Sequence, residues 1–376
     1  FPGDKLYAEF PHVAQLEASL REYDAIPVAV GSGTINDLVK LAAHRAGRES
    51  YLCVATAASM DGYTAFGASI THEGAKQTFS CPAPRAVVAD LDVIAGAPPE
   101  LTAAGYADLL AKVTAGADWI LADALGEEPV EPRAWAIVQG GLRDALADPA
   151  GARRGDVAAI GPLTEGLMLG GFAMQWSRSS RPASGAEHQF SHLWDMEHHT
   201  HRGEAPSHGF KVGVATHAVS RFYEEFLALG PEAIDPAAAA QAWPASPVND
   251  ESAIRARFHD SGFAETAVKE CRAKAIGAPA LHAQLTRLRK EWPSIRERLQ
   301  AQLLPAAEVR RRLAAVGAPT EPEEIGLTRS RLRASFLRAF HIRRRFTILD
   351  VAVRANLLEP LLGRIFGPGA GWDESR

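Results

Sequence analysis

The stretch IPVAVGSGTIND, residues 26–37, decides the fold of the first part of the chain. Ile26–Val30 is a short apolar run in which Pro27, lacking an N–H group, suits the beginning of a strand. Gly31 and Gly33 then lead into apolar residues at helical spacing, which predicts a helix. Glycines between a strand and a helix let the backbone approach a phosphate, and the helix N-terminus offers free N–H groups. Taken alone, these glycines are equally consistent with a phosphate site and with a plain tight turn.

Two further strands are predicted nearby, at Tyr51–Thr56 and Ala86–Ala89. Strands that alternate with helices are typical of parallel βαβ units, whose ligands bind at the carboxyl ends of the strands. The segment ATAASMDGY, residues 55–63, follows the second strand and should therefore lie beside the glycine loop. Its small and hydroxylated residues can bond a pyrophosphate or a ribose, and Asp61 can receive a substrate hydroxyl. Such residues before a glycine are, however, more often ordinary turn residues.

Beyond Pro98-Pro99 the chain becomes rich in Ala, Leu and Arg at helical spacing. Helices are predicted at Leu101–Leu121, Pro132–Leu146, Leu163–Ser177, Phe210–Leu229, Ser252–Ala275, Leu281–Leu304, Ser330–Phe340 and Ile348–Leu362. The periodicity fails in His198–His208, so this segment is predicted to be a loop and its inner histidines are interpreted as exposed. We expect two domains, an α/β domain over residues 1–98 and a helical domain over residues 99–376.

The overall composition argues against several classes of protein. Hydrophobic residues make up 47% and charged residues 23%, the ordinary mixture of a globular protein. A net charge of −5 gives no reason to bind nucleic acid or an anionic membrane, and no uninterrupted apolar run approaches the ~18–20 residues of a membrane span. The three cysteines are scattered, which excludes a Cys-rich zinc site or a disulfide framework and favours a reducing cytoplasm.

Three residues of the second part are candidates for a metal site. Asp108 lies among small and apolar residues of a predicted helix, where a carboxylate needs a partner, most often an ion pair. His188 and His192 are four residues apart and hence lie on one helical face. His208 begins the next predicted helix. Asp108, His188 and His208 together form an N,N,O set that suits Zn²⁺, Ni²⁺ or Fe²⁺ with positions left open for substrate.

These segments, in this order, resemble the sn-glycerol-1-phosphate dehydrogenase family, which belongs to the wider dehydroquinate-synthase-like and iron-containing alcohol dehydrogenase group. The matching motifs are GSGTINDLVK, ATAASMDGYTA, AGYADLLAKVTAGADW, SGAEHQFSH and HGFKVGVAT. The tail, with GAPTEPEEIG and IRRRFTILD, is similar to the bacterial branch. The resemblance covers nearly the whole chain, and five ordered motifs are more specific than any single one.

The resemblance implies an α/β N-terminal dinucleotide-binding domain, incomplete because the first strand region is missing, and an all-α C-terminal metal-binding domain. Members usually carry a further segment before the position of Phe1, so we expect the gene to encode more residues. The implied reaction is hydride transfer between sn-glycerol 1-phosphate and NAD or NADP, giving dihydroxyacetone phosphate. It implies one divalent metal (Zn, Ni or Fe), a small polyol phosphate as substrate, and a cytoplasmic homo-oligomer.

By motif position, the resemblance also assigns roles to individual residues. The cofactor loops are Gly31, Ser32, Gly33, Thr34 and Ile35, with Thr56, Ala57, Ala58 and Ser59. Asp61, Asp108 and His192 fall where the family contacts substrate, and Asp108, His188 and His208 fall where it binds metal. Ala65 stands where a cofactor-contacting serine is common, and His192 where other members can carry glutamate.

Two other interpretations stay open at this point. The shared scaffold also suits another polyol, another polyol phosphate or a dehydroquinate-like substrate, because function depends on the site and not on the fold. The chain could also be a degenerate member that binds metal but no nucleotide and catalyses nothing.

Overall fold

The computed structural model describes residues 6–72 and 75–374, and most of them are helical. The strands are β1 (Val28–Gly31), β2 (Leu52–Ala55), β3 (Ala68–His72), β4 (Ala75–Phe79) and β5 (Ala86–Ala89). The helices are α1 (Phe10–Glu22), α2 (Gly33–Arg45), α3 (Leu91–Ala95), α4 (Pro99–Leu110), α5 (Lys112–Ala124), α6 (Pro132–Gln139), α7 (Leu142–Ala145), α8 (Pro149–Arg154), α9 (Val157–Ser177), α10 (Ala186–Met196), α11 (His208–Leu229), α12 (Pro236–Ala242), α13 (Glu251–Arg257), α14 (Ala264–Ala273), α15 (Ala278–Lys290), α16 (Trp292–Gln302), α17 (Ala306–Val316), α18 (Arg329–His341), α19 (Ile348–Arg354) and α20 (Leu358–Phe366).

The three predicted strands are confirmed and form one parallel sheet in the order β1-β2-β5. Their register aligns Gly31 with Ala55 and Ala89, so the loops that follow them leave the same edge of the sheet. The antiparallel hairpin β3–β4 was not predicted. Its two five-residue strands, ASITH and AKQTF, contain too few β-branched and large apolar residues to give a clear strand pattern.

Several long predicted helices prove to be pairs of shorter ones. Leu101–Leu121 corresponds to α4 and α5, which meet at Ala111. Leu281–Leu304 corresponds to α15 and α16, and Pro293 at the second position of α16 explains the break because proline lacks the N–H group that a continuous helix needs. Three further predicted helices are also interrupted, but at glycines or at a residue with positive φ: Pro132–Leu146, Ser252–Ala275 and Ile348–Leu362.

Helix α9 is long and apolar enough to cross a membrane by length and composition, with a mean hydropathy of 1.4. Its apolar stretch is interrupted by Glu165 and contains Pro162. It begins six residues before the predicted start at Leu163, and Leu163 and Leu167 are buried in the protein core. A buried core helix also meets the length and hydropathy criteria, so this is weak evidence for a membrane span.

Helix α4 lies between the sheet and the helical part and is almost entirely buried from Thr102 to Leu110. One apolar core packs α4 and α9 against the sheet side, and a second packs α5, α10, α11 and α18 together. A polar side chain on α4 therefore has no access to bulk water and must be paired within the protein.

Candidate active site

Two glycines allow the elements that carry the site to approach one another closely. A Cβ atom on Gly105 would collide with the carbonyl oxygen of Ala58, in the loop after β2. A Cβ atom on Gly209 would collide with the carbonyl oxygen of Ala104 on α4. The missing side chains let α4 contact both this loop and the start of α11. Asp108, one turn beyond Gly105, is thereby placed next to residues from both.

The structure brings the three predicted metal ligands together. Asp108, His188 and His208 each offer a ligand atom, and these atoms all lie within 4.8 Å of one another. His188 Nε2 is 3.4 Å from Asp108 Oδ1, and the His188 and His208 ring centroids are 5.3 Å apart. His208 is the first residue of α11, which begins two residues before its predicted start, and its Nδ1 lies 3.2 Å from Ser191 Oγ. Three side chains from α4, α10 and α11 thus converge, although their role as ligands stays a prediction.

A buried lysine, which the sequence analysis missed, joins this cluster to Asp61. Lys112 Nζ lies 2.7 Å from Asp61 Oδ2 and 2.9 Å from Asp108 Oδ1, and its side chain has no exposure to solvent. The backbone N–H of Asp61 also donates to Asp108 Oδ2 at 3.2 Å. Lys112 follows Asp108 by four residues, and this spacing, which brings opposite charges together on a helix, could have identified it. The ion-pair interpretation of Asp108 is therefore confirmed.

The two carboxylates that share Lys112 differ in their electrostatic surroundings. Burial opposes ionisation of Asp108, but the Lys112 ammonium holds the pKa of Asp108 below its usual range. Burial and the neighbouring charge of Asp108 raise the pKa of Asp61. Burial also disfavours the charged form of Lys112, yet the two carboxylates raise its pKa above the ordinary value. Asp108 is therefore the more firmly ionised of the two carboxylates.

Behind the cluster lies a second set of buried acids that the sequence analysis also missed. Glu187 Oε1 is 2.8 Å from His188 Nδ1, and this bond lowers the pKa of Glu187 although burial opposes it. Asp118 accepts hydrogen bonds from the N–H of Ala186 at 2.7 Å and from the hydroxyl of Tyr223 at 2.6 Å. Burial and the charge of Glu187 raise the pKa of Asp118 to about 7. These acids hold the start of α10 in place.

His192 lies beside the cluster, one helical turn after His188. The ring centroids of His192 lie 6.4 Å from those of His188 and 6.1 Å from those of His208. Its side chain is half-buried, whereas His188 is buried. His192 therefore lies where a molecule that approaches the cluster from outside could contact it, and its place at the substrate stays a prediction.

The two predicted cofactor loops are neighbours, as their positions after β1 and β2 required. The N–H of Thr56 donates to the carbonyl of Gly31 at 3.2 Å. Gly33 is the first residue of α2, and the Ser32 side chain does not cap that helix. We expected Gly33 either to have positive φ or to meet the cofactor; its helical position excludes the first explanation. A Cβ atom on Gly33 would lie 2.5 Å from Cε of Met60.

Lys40 connects α2 with the segment that carries Asp61. Its buried Nζ donates to the carbonyl oxygens of Gly62 at 2.9 Å, Ala65 at 2.9 Å and Gly67 at 3.0 Å. The three donors of the ammonium are thus all used by one loop. Ala65, where a serine was expected from the resemblance, contributes its carbonyl oxygen here and its side chain is buried.

The expectation of exposed histidines in the loop before α11 is wrong for His199 and also fails for His201, which is half-buried. His199 was expected to be exposed, but it is buried, with Nε2 2.7 Å from the carbonyl oxygen of Ile325 and Nδ1 2.9 Å from Arg331. His198 is exposed, as expected. His199 binds a distant segment of the chain, so it belongs to the packing of the loop and not to a metal site.

The residues of the cluster fit a divalent cation in both donor type and charge. Imidazole nitrogens and a carboxylate oxygen suit first-row divalent metals, and three protein ligands leave a position for substrate. Three carboxylates, those of Asp61, Asp108 and Glu187, lie at the cluster: Lys112 contacts Asp61 and Asp108, and Glu187 contacts His188. With neutral imidazoles, two negative charges are left without compensation, and a dication would balance them.

Comparison with known proteins identifies the family of the chain. A family model described as iron-containing alcohol dehydrogenase matches residues 4–98. A glycerol-1-phosphate dehydrogenase [NAD(P)+] of Geobacillus stearothermophilus is 32% identical over 349 residues, covering 92% of this chain and 76% of that protein. One from Halalkalibacterium halodurans is 36% identical over 219 residues, covering 58% of this chain and 55% of that protein. The chain thus spans about half the length of several curated relatives that it matches.

Solved structures support the fold alone, because their sequences are distant. A probable glycerol dehydrogenase from Sinorhizobium meliloti superposes with a TM-score of 0.57 at 18% identity, over 96% of this chain and 83% of that chain. A glycerol dehydrogenase from Schizosaccharomyces pombe gives a TM-score of 0.52 at 16% identity, over 96% and 74%. The sequence match over most of a relative, together with this fold, shows that the chain belongs to the glycerol-1-phosphate dehydrogenase family.

Proposed function

We propose that this chain interconverts sn-glycerol 1-phosphate and dihydroxyacetone phosphate, using NAD or NADP and one divalent metal. The observation that carries the proposal is the cluster of buried Asp108 and His188 with half-buried His208, linked through Lys112 to Asp61. The carboxylate of Asp108 and the two imidazoles give a metal-binding set. The ion-paired carboxylate of Asp61 gives a polar contact for a small hydroxylated substrate. The plain ion-pair role of Asp108 does not explain why two histidines converge on it.

The proposed chemistry divides the work between the bound groups and the chain. A divalent ion would lower the pKa of a bound hydroxyl or polarise a carbonyl, and the nicotinamide would exchange hydride with C2 of the substrate. Asp108, His188 and His208 would hold the ion. Asp61, fixed by Lys112, would accept a hydrogen bond from a substrate hydroxyl, and Lys112 would keep both carboxylates in place.

The cofactor is assigned to the loops after β1 and β2. Gly31–Ile35 and Thr56–Ser59 lie side by side at the carboxyl edge of the parallel sheet, where such folds bind nucleotides. The open N-terminus of α2 offers N–H groups to a pyrophosphate. The choice between NAD and NADP, the metal among Zn, Ni and Fe, a cytoplasmic location and a homo-oligomeric state are part of the same proposal.

The phosphate group is assigned to His192. Lys112 is already engaged by two carboxylates, so its charge is not available to a substrate phosphate. His192 is half-buried at the edge of the cluster, and a protonated imidazole can pair with a phosphate near neutral pH. A bond between charged groups contributes about 1.5–3 kcal/mol, which corresponds to a roughly 10- to 100-fold preference for the phosphorylated substrate.

The test compares kcat/KM for dihydroxyacetone phosphate and for dihydroxyacetone, with NADH and with NADPH, before and after reversible metal removal by EDTA. The wild type should prefer the phosphorylated compound and lose activity without metal. His192→Ala should lose most of that preference, whereas His282→Ala, at an exposed position of α15, should keep it. A wild type that prefers unphosphorylated polyols would replace this proposal with a related polyol dehydrogenase. Absence of nucleotide binding would favour a degenerate member.

A further inference from the structure

The carboxylate of Glu187 contacts His188, one of the two histidines of the cluster. We propose that Glu187 is the positioning residue of the metal centre, because it fixes both the rotation and the tautomer of His188. The inference rests on the metal site of the proposed function. It concerns how this chain prepares the site, and it can be measured on the metal-free protein as well as on the loaded one.

The geometry around Glu187 specifies where the His188 proton lies. Glu187 Oε1 is 2.8 Å from His188 Nδ1, and an ionised carboxylate can only accept, so Nδ1 must carry the proton. In the neutral ring, Nε2 then holds the lone pair. This atom is the one that lies 3.4 Å from Asp108 Oδ1 and faces the cluster. A histidine whose far nitrogen donates to a carboxylate is oriented for metal binding and is a more basic ligand.

Glu187 is itself held on every side and therefore cannot rotate away. The N–H of Gly185 donates to Oε1 at 2.6 Å, and the hydroxyl of Thr114 donates to Oε2 at 2.8 Å. The side chain is fully buried. Glu187 is the second residue of α10, where the helix dipole favours a negative charge. A Cβ atom on Gly185 would lie 2.9 Å from Glu187 Oε2, so a larger residue there would displace the carboxylate.

A purely structural role for Glu187 makes different predictions. If the carboxylate only fastened the start of α10, its removal would lower thermal stability and leave metal affinity and the His188 tautomer unchanged. Asp118 already provides a fastening at this point, because it accepts a hydrogen bond from the N–H of Ala186 at 2.7 Å. The bond from Glu187 to the ring of His188 acts on the ring itself and determines which nitrogen faces Asp108.

Two substitutions at this position separate geometry from charge. In Glu187→Gln the amide oxygen can still accept the Nδ1 proton of His188 while the negative charge is lost. Glu187→Met removes both the acceptor and the charge at similar volume. Asp350→Asn is the matched control, because Asp350 is equally buried and its contacts are with Thr347 at 2.9 Å and Lys274 at 3.0 Å, outside the cluster.

The experiment measures the Kd for Zn²⁺ by competition with a chromophoric chelator, and the tautomer of His188 by ¹⁵N NMR of the metal-free protein at alkaline pH. Glu187→Met should weaken Zn²⁺ binding about 10- to 100-fold, the usual effect of losing a partner of a metal-ligating histidine. Glu187→Gln should have a smaller effect, and Asp350→Asn should keep wild-type affinity even if it melts earlier. The wild-type His188 should be protonated on Nδ1, and Glu187→Met should lose this preference.

The outcomes separate failure of this inference from failure of the proposed function. Wild-type Zn²⁺ affinity in folded Glu187→Met, or a wild-type His188 protonated on Nε2, would overturn the role of Glu187 alone. If Glu187→Met does not fold, Glu187→Gln and the wild-type tautomer decide in its place. A wild type that binds no Zn²⁺, or a His208→Ala variant that binds it fully, would reject the metal site, whereas the tautomer measurement would still test the carboxylate–histidine pair.

Discussion

The three-stranded sheet and helix α4 differ in how much of their surface is covered by other parts of the protein. In the sheet, Ala29 and Cys53 are buried on one face, whereas Val28, Val30 and Val88, aligned on the other face, are 50–61% exposed. Parallel sheets are usually covered on both faces. Within residues 6–72 and 75–374, no element covers these valines. Helix α4, in contrast, is buried all round from Thr102 onwards.

This difference explains where the charged groups of the site can be held. A carboxylate on α4 or α10 is far from water, so its ion pairs and hydrogen bonds are strong and their loss is costly. The loops after β1 and β2 are only partly buried, apart from Ala57 and Ala58. The charged groups of the proposed metal centre are therefore held mainly by the helical half, and the proposed cofactor loops belong to the sheet half.

The largest effect is expected from Lys40, a buried cation of the sheet half. Lys40→Met would leave the carbonyl oxygens of Gly62, Ala65 and Gly67 without their charged donor. We expect the free energy of unfolding to fall by about 3 kcal/mol, since hydrogen bonds to a charged group contribute roughly 1.5–3 kcal/mol each but are not additive. Urea denaturation measures the change.

The matched control is Lys269→Met, at an exposed position of α14, which should be nearly neutral. The metal Kd of Lys40→Met should equal that of the wild type, because Asp108, His188 and His208 all lie on helices. A loss below about 1 kcal/mol would show that water replaces Lys40 without difficulty. A weakened metal site would show instead that the two halves are more strongly coupled than their packing indicates.

An intermediate effect is expected from pH in the helical half. His341, the last residue of α18, is fully buried between the carbonyl oxygens of Leu337 and Val248, and burial lowers its pKa to about 4. In the unfolded chain the value is about 6.5. Stability from this group is therefore fully present above pH 6.5 and is lost as the pH falls toward 4. Between pH 7 and pH 5 the loss should be about 2 kcal/mol.

Denaturation of the wild type and of His341→Gln at both pH values tests this expectation. The variant should lose stability at pH 7 but should show about 2 kcal/mol less dependence on pH than the wild type. His259→Gln, in which an exposed imidazole is replaced, should keep the wild-type dependence. Equal pH dependence in the wild type and in His341→Gln would mean that the imidazole is already charged in the folded protein, bonded to both carbonyls.

Features that depend on residues close together in the sequence could be predicted, whereas contacts between distant residues could not. The strand ending at Gly31 and the cluster residues Asp108 and His188 could be predicted, because local patterns and ordered motifs mark them. Lys112 was within reach, since it follows Asp108 by one helical turn. The bond between Thr114 and Glu187 joins residues 73 positions apart, and His199 meets a carbonyl 126 positions away. No local pattern reports such contacts.

The boundary between the predicted domains illustrates the same limit. The change of composition after Pro98-Pro99 marks the start of α4 at Pro99. Yet α4 packs against the sheet side as well as against α11, because Gly105 and Gly209 permit both contacts. Spacing of apolar residues cannot show that one helix packs against both the sheet and another helix. The division at residue 98 therefore stays a prediction about the chain and not a description of its packing.

The smallest effect is expected at Gly33. A substitution there tests whether the loop after β1 contributes to the proposed cofactor site or is only a turn. Gly33→Val should raise the Kd for NADH or NADPH at least tenfold, about 1.4 kcal/mol, while circular dichroism shows an intact fold. Because Gly33 begins α2 with helical φ, strain cannot cause this loss. Two causes are left: the valine meets the pyrophosphate, or it meets Met60, whose Cε would lie 2.5 Å from its Cβ.

The double variant Gly33→Val with Met60→Ala separates these causes. If the valine only displaces Met60, shortening that side chain should restore nucleotide affinity to the level of Met60→Ala alone. If the backbone of the glycine loop approaches the pyrophosphate, the tenfold loss should persist in the double variant, because the obstacle is the ligand itself. Isothermal titration with both nucleotides gives the answer. Unchanged affinity in a folded Gly33→Val protein would mean that the loop is only a turn, and the cofactor would then have to bind through Thr56–Ser59 and the helical half.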